Sequence, residues 1–271
     1  MEKLPGIRSL EDFKFNRIDI TKDIHDIPET IVCEYLLLMR RMQLYSGHEI
    51  DRQIEKNCSH FRIKDSVNLI NESRGIEFVI YNKHQAAVDN GYSDDTIGFY
   101  KDTLRMELRC KRKYINKLTK GMNNAEGLIY FYRNMQNFVE KIFFSAFRDT
   151  DVCHVSAYAL DKLVKRKMKT KKVKCSNMRN LVTILNKKSD MDIDTALDLI
   201  WNSDRTKVKI ISYFRAMDLS PLAIQCKDVP YLQSLESLLE FTLPNENDDK
   251  YYRLMKKLSR GKEVFLHERS Y

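Results

Sequence analysis

Apolar side chains recur at every second position in four short stretches of the first 110 residues, and not beyond them. In "FKFNRIDITKDI", residues 13–24, Ile18 and Ile20 face one way and Phe15, Arg17 and Asp19 the other. In "HFRIKDSVNLI", residues 60–70, Phe61, Ile63, Val67 and Leu69 alternate with Arg62, Lys64, Ser66 and Asn68. In "GIEFVIY" Ile76, Phe78 and Ile80 alternate with Glu77, Val79 and Tyr81, and in "TLRMELRC" Leu104, Met106 and Leu108 alternate with Arg105, Glu107 and Arg109. A period of two puts alternate residues on opposite faces of a strand, so each stretch predicts a strand with one buried face and one more polar face. The turn cluster "NESRG", residues 71–75, joins the second and third into a β-hairpin over 60–82.

Helical periods fill the rest. Pro28, favourable in a first helical turn, opens an apolar run from Ile31 to Leu44 with Tyr35, Leu38 and Met42 at helical spacing. A short helix is expected over 83–90, followed by the loop "DNGYSDD". After Gly121 strands are no longer expected. A helix over 124–148 would carry Leu128, Tyr132, Met135, Phe138, Val139 and Ile142 on one stripe, with further helices near 152–168, 177–187, 192–202, 205–217 and 230–241. The expected fold is α+β: a small antiparallel sheet with packed helices in 1–120, then a mostly helical, partly basic region in 121–271.

Charge narrows the class of partner. The chain of 271 residues has a net charge of +9, and residues 101–174 hold 19 Lys and Arg against 7 Asp and Glu. A basic block in an otherwise near-neutral protein points to a polyanion, nucleic acid first, or else to a solvated basic surface with no specific partner. There is no run of 18 apolar residues and no basic-then-apolar leader, so the expectation is a cytoplasmic protein without membrane attachment. The six cysteines form no CxxC pair; Cys58-Ser-His60 and Cys153-His154 have no counterpart at zinc-finger spacing, so free thiols are the simplest reading.

The polar faces gather groups that could do chemistry: Arg17 and Asp19; Glu77, Tyr81 and Lys83; Arg105, Glu107 and Arg109. A tyrosine hydroxyl with a pKa near ~10 is a weak nucleophile until a cation or metal favours its ionised form. Carboxylates such as Asp19 and Glu107 could hold a divalent metal that polarises a phosphodiester. Residue types alone leave a second reading open: a strand tyrosine that packs its ring, cross-strand ion pairs at Asp19 and Glu107, and a surface histidine at His84.

Three segments, in order, resemble the replication initiator proteins of filamentous phages and rolling-circle plasmids. "LPGIRSLEDFKFNRIDI" is similar to a Leu-Pro segment leading to a strand with Arg-Ile-Asp, here Arg17, Ile18 and Asp19. "NLINESRGIEFVIYNKH" is similar to an Asn-Glu-x-Ser-Arg turn, here one residue shorter, and a strand ending Tyr-x-Lys-His, here Tyr81, Lys83 and His84. "TLRMELRCKRKYINK" is similar to a strand with Arg-x-Glu, here Arg105 and Glu107, running into a basic segment with Tyr114. The likeness covers roughly residues 4–120. It implies that Tyr81 attacks one DNA strand at an origin with Mg²⁺ or Mn²⁺, leaves a free 3′-hydroxyl and keeps the 5′-phosphate as phosphotyrosine. Lys83 and His84 would stabilise the phosphate or shuttle a proton. Asp19 and Glu107 match the acidic positions of the family's motifs; that they hold the metal is inferred from their carboxylates. The chain departs from the family in having almost nothing before the Arg-Ile-Asp strand, no His-hydrophobic-His motif, and Gln85-Ala86-Ala87 where Glu-Leu is usual.

The basic runs "CKRKYINKLTK", 110–120, and "KLVKRKMKTKKVK", 162–174, suit phosphate contacts that do not read sequence. The residues expected to contact DNA are Arg74, Arg105, Arg109, Lys111, Arg112, Lys113, Lys165, Arg166, Lys167, Lys169, Lys171 and Lys172. Tyr130, Phe131 and Tyr132 could stack on bases, though the packed side of a helix suits them better. The reading that joins these features is a rolling-circle initiator, a strand-specific nickase and strand transferase. Its partners would be single-stranded or origin DNA, with a host helicase as a further candidate. The alternatives are a non-catalytic DNA-binding or regulatory fragment of such an initiator, and a helical interaction protein.

Overall fold

The structure, a computed structural model, describes residues 14–50, 66–170 and 175–239. It is an α+β fold in two compact units, one of residues 1–40 and 44–148, the other of residues 41–43 and 149–271.

The first unit is built on five antiparallel strands in the order β1-β5-β4-β3-β2. They are β1 (Arg17–Ile24), β2 (Glu49–Ile50), β3 (Ser66–Asn71), β4 (Ile76–Asn82) and β5 (Leu104–Lys111). All four alternating stretches thus supply strands, although residues 60–65 of the second lie outside the described residues. The registers align the alternation across the sheet: Ile20, Leu108, Phe78 and Leu69 form one row, and Met106, Ile80 and Val67 another. These side chains are at most 2% exposed, and each contributes about 1.5–3 kcal/mol by leaving water.

Two helices cover that apolar face. Helix α1 (Glu29–Met39) starts behind Pro28 and packs on β3 and β4. Helix α6 (Met135–Ala146) packs on β1 and β5, with the Phe143 ring edge-on to Phe78 at 6.3 Å. The first unit therefore runs past residue 120, to Arg148.

The β3–β4 hairpin turns because Asn71 organises it. Its Oδ1 accepts from Arg74 N at 3.1 Å and Ser73 Oγ at 2.9 Å, and Gly75 closes the turn at φ 72. Short helices α2 (Lys83–Asp89) and α3 (Asp94–Phe99) link β4 to β5, and α4 (Arg112–Leu118) follows β5. The single helix expected over 124–148 is two, α5 (Asn124–Arg133) and α6, broken at Asn134. The Asn134 side chain donates to the Tyr130 carbonyl at 2.8 Å, and its backbone sits at φ −114. The break shifts the phase of the stripe, so Phe131 is buried while Tyr132 is 74% exposed.

The second unit is mainly helical: α7 (Ala157–Thr170), α8 (Cys175–Lys187), α9 (Ile193–Ile200), α10 (Asp204–Arg215) and α11 (Leu235–Leu238). It also holds an unexpected two-stranded ribbon, β6 (His154–Val155) with β7 (Tyr231–Leu232). The helix expected over 230–241 is β7 and then α11, because Ser234 caps a new start by accepting from Ser237 N at 3.3 Å. No helix among the described residues is long and apolar enough to cross a membrane.

Candidate functional site

The face of the sheet opposite the core is a ladder of charges. Asp19 lies across from Arg109, which lies across from Glu77. Thr21, Glu107 and Val79 make the next row, and Asp23, Arg105 and Tyr81 the last. Six of the residues named from sequence, Asp19, Tyr81, Arg105, Glu107, Arg109 and Lys111, thus share one face.

Tyr81 sits at the end of that face, 9% exposed, and its hydroxyl donates to Glu107 Oε2 at 3.3 Å. Burial first, and then the Glu107 carboxylate, pushes its pKa up to about 12, while Arg105 opposes the shift. The phenol is thereby held protonated, as a hydrogen-bond donor. Glu107 also accepts from Arg109 Nε at 2.7 Å. Arg105 lies opposite Tyr81 and grips Asp23 with two bonds of 2.6 Å, Nε to Oδ1 and Nη2 to Oδ2. Such a bidentate, charge-assisted pair is among the stronger polar contacts, and it raises the guanidinium pKa further.

Lys83 is not on the strand. Asn82 ends β4 and caps α2, its Oδ1 accepting from Gln85 N at 3.1 Å, so Lys83 is the first helical residue. Its ammonium nevertheless returns toward the face. It stands 4.7 Å from the Tyr100 ring centroid and 5.2 Å from that of Tyr92. Arg105 Cζ lies over the same Tyr100 ring at 5.1 Å. The Lys83 ammonium has no carboxylate partner among the described residues. Burial, and then the Arg105 charge, lower its pKa. His84 is half-buried on α2 and makes no hydrogen bond to Tyr81 or to any other described side chain.

The carboxylates expected to hold a metal are engaged by arginines. Asp19 pairs with Arg17 at 2.8 Å, and Glu107 with Arg109. Among the described residues no group of three His, Cys, Asp or Glu comes together to hold a metal ion. This donor set does not fit Mg²⁺ or Mn²⁺, hard cations that need several oxygen ligands.

The remaining DNA-contact residues divide. Arg74 is exposed on the β3–β4 turn, and Arg112 and Lys113 are exposed at the start of α4; none of the three has an ion pair among the described residues. Lys111 is tied to Glu77 Oε1 at 2.6 Å. Lys165 and Arg166 are exposed on α7 in the second unit, with Lys165 paired to Asp161. Lys167 and Lys169 fall within the bounds of α7, and Lys171 and Lys172 lie outside the described residues. Sequence reasoning missed Asp23, Tyr92 and Tyr100. Asp23 continues the Asp19–Thr21 alternation and could have been read from it. The two tyrosines reach Lys83 from a loop and a helix end, which periodicity does not place.

Compared with protein-family models, with curated proteins and with solved structures, the chain matches none.

Proposed function

We propose that the protein nicks and rejoins single-stranded DNA through Tyr81 in the cytoplasm, as a rolling-circle replication initiator. The observation that carries this reading is the Tyr81–Glu107 hydrogen bond with Arg105 and Lys83 at the same end of the face. A phenol, a base to take its proton and cations to receive a phosphate are the parts of a tyrosine transesterification. The phenolic proton passes to Glu107 as the bond from Tyr81 Oη to phosphorus forms. The bond from phosphorus to the 3′-oxygen breaks. The leaving oxygen takes a proton from Lys83, whose lowered pKa makes it the readier acid. The products are a 5′-phosphotyrosine and a free 3′-hydroxyl.

The second reading, a DNA-binding module without chemistry, is favoured by a different observation: the face carboxylates are neutralised by arginines and Tyr81 is held protonated. One experiment separates the two. The protein is incubated with single-stranded DNA of its own replicon, with Mg²⁺, with Mn²⁺ and with EDTA, and resolved under denaturing conditions. A covalent protein–DNA band present in the parent protein and absent from Tyr81→Phe supports the nickase. Persistent salt-sensitive binding without a band in any metal condition supports the binding module.

A further inference from the structure

A pocket of about 180 Å³ opens in the first unit between the start of β1, helix α4 and the first turns of α5. Its inner walls are apolar: Ile115 and Phe131 are buried, and Ile18 is half-buried. Gly127 shapes one wall. A glycine inside a helix costs about 1 kcal/mol relative to alanine, but a Cβ here would stand 3.1 Å from Thr119 Cγ2, so its absence lets α5 close on the end of α4. The exposed lining residues, Met122 apart, are polar or basic: Lys14, Arg112, Asn116 and Asn123. Neither Lys14 nor Arg112 has an ion pair among the described residues. Two carboxylates belong to the described residues of these stretches, and both are engaged. Asp19 is on the face of β1 opposite Ile18 and pairs with Arg17 at 2.8 Å, and Glu126 turns back to accept from Asn123 N at 3.0 Å. Helix α4 itself carries three cations and no carboxylate. The volume is below the ~300–1,000 Å³ of sites that enclose a drug-sized ligand, so it suits one small ring system, and the two cations call for an anion attached to it.

We infer that this pocket binds one nucleotide unit, with the base between Ile115 and Phe131 and the phosphate at Arg112 and Lys14. The amides decide for a base over an aromatic or aliphatic acid. Asn123 Oδ1 accepts from Glu126 N at 2.9 Å, which leaves its Nδ2 to donate, and the whole Asn116 amide lines the pocket. A ring without a hydrogen-bonding edge would strip water from these groups and replace it with nothing. A base is apolar on its faces and presents donors and acceptors along its edge, which an asparagine amide matches. The unit has two possible sources, a free nucleotide or an unstacked nucleotide of a single strand. The inference does not rest on the Tyr81 chemistry. The pocket adjoins the end of the sheet where Ile18 and Ile76 pair with Cys110, whereas Tyr81 pairs with Arg105 at the other end.

The test titrates the full chain with thymidine 5′-monophosphate, followed by saturation-transfer NMR, with ribose 5-phosphate and thymidine as its two halves. The nucleotide should bind more tightly than either half. Arg112→Gln should weaken it roughly tenfold or more, the loss of one charge-assisted hydrogen bond. Lys113→Gln removes the same charge one residue along α4, from a side chain that does not line the pocket, and should leave the affinity within about twofold of the parent, since exposed charges act weakly at a distance. Asn116→Leu, an exposed position whose change spares the core, should weaken the nucleotide and leave ribose 5-phosphate unchanged. Equal losses in Arg112→Gln and Lys113→Gln would overturn the inference, because charge alone would then explain binding. So would ribose 5-phosphate binding as tightly as the nucleotide, or no transfer from the nucleotide at millimolar concentration. A 5′-phosphorylated oligothymidylate identifies the source. Displacement of the nucleotide at a lower concentration than free nucleotide requires supports a unit of a strand, and failure to displace it supports the free nucleotide. The covalent-adduct assay on Tyr81 is separate, so an adduct without nucleotide binding removes the pocket alone, and nucleotide binding without an adduct keeps it.

Discussion

Acid should unfold the second unit through one histidine. His154 in β6 is fully buried, and its Nδ1 lies 3.5 Å from the Leu222 carbonyl while Nε2 has no hydrogen-bond partner among the described residues. A proton added at Nε2 would be a buried donor with no acceptor and a buried charge with no counter-charge. Burial accordingly lowers the pKa from 6.5 to about 4, and the Leu222 contact only partly opposes it. The folded state thus resists a proton that the unfolded chain accepts. The contribution is fully present above pH 6.5, declines as pH falls, and is lost once pH passes below about 4. Integrated over that window, the shift corresponds to about 3 kcal/mol, of which about 2 kcal/mol falls between pH 6.5 and 5. Trp201, the only tryptophan of the chain, lies in the same unit, so its fluorescence in urea follows that unit specifically. The comparison is the parent protein against His154→Phe, which keeps an aromatic ring of similar size and cannot titrate. Carboxylates titrate in both proteins, so the difference between their stability–pH curves isolates the histidine. The parent should lose about 2 kcal/mol more than the variant between pH 7 and 5. Parallel curves would refute the argument, and a parent that gained stability on acidification would show that His154 meets an anion.

Three further outcomes are expected. Gly75→Ala should cost ~1–2 kcal/mol, because φ 72 is strained for a side chain and the new Cβ would meet Lys113 Cβ at 3.2 Å; Gly75→Asn, which tolerates that conformation better, should melt closer to the parent. Glu107→Gln should bring the Tyr81 pKa down from about 12 but leave it above 10, since burial remains the larger cause; ultraviolet titration of the phenolate against Tyr81→Phe reads this, and an unchanged value would mean that Glu107 does not act on the phenol. Arg105→Met should cost about 2 kcal/mol in urea unfolding by stripping the half-buried Asp23 of its two bonds, and a loss below about 0.5 kcal/mol would show the pair to be fully screened by solvent.

The sheet was legible because its alternation is a local signal that the core enforces. Once Ile20, Leu108, Phe78 and Leu69 must point inward, Asp19, Arg109 and Glu77 are left on the other side, and a shift of one residue would reverse every one of them. Which charges meet across strands was not legible. It depends on register, which one chain does not display, so the Arg105–Asp23 grip emerged only from the structure, whereas the Arg109–Glu107 bond runs along β5 itself, between residues two apart on one face. The helical break was hidden for a similar reason. Asn134 is an ordinary helical residue until its side chain takes the Tyr130 carbonyl. The ribbon of β6 and β7 is two residues to a strand, too short for alternation to register.

The pairing of the polar face bears on how a polyanion could approach it. Asp19, Asp23, Glu77 and Glu107 would repel phosphates if they stood alone, but each is matched by an arginine or lysine on the same face. The middle of the face is therefore close to neutral, and the unmatched cations lie at its two ends. Lys83 stands at the Tyr81 end, while Arg74, Arg112 and Lys113 cluster where the β3–β4 turn meets the start of α4. The seven residues of β4 separate these ends by about 20 Å at the rise of a strand. A strand anchored by phosphates at the turn end would run on over a surface that neither attracts nor repels it strongly. On that arrangement, removing charge at the turn should weaken binding to every sequence alike.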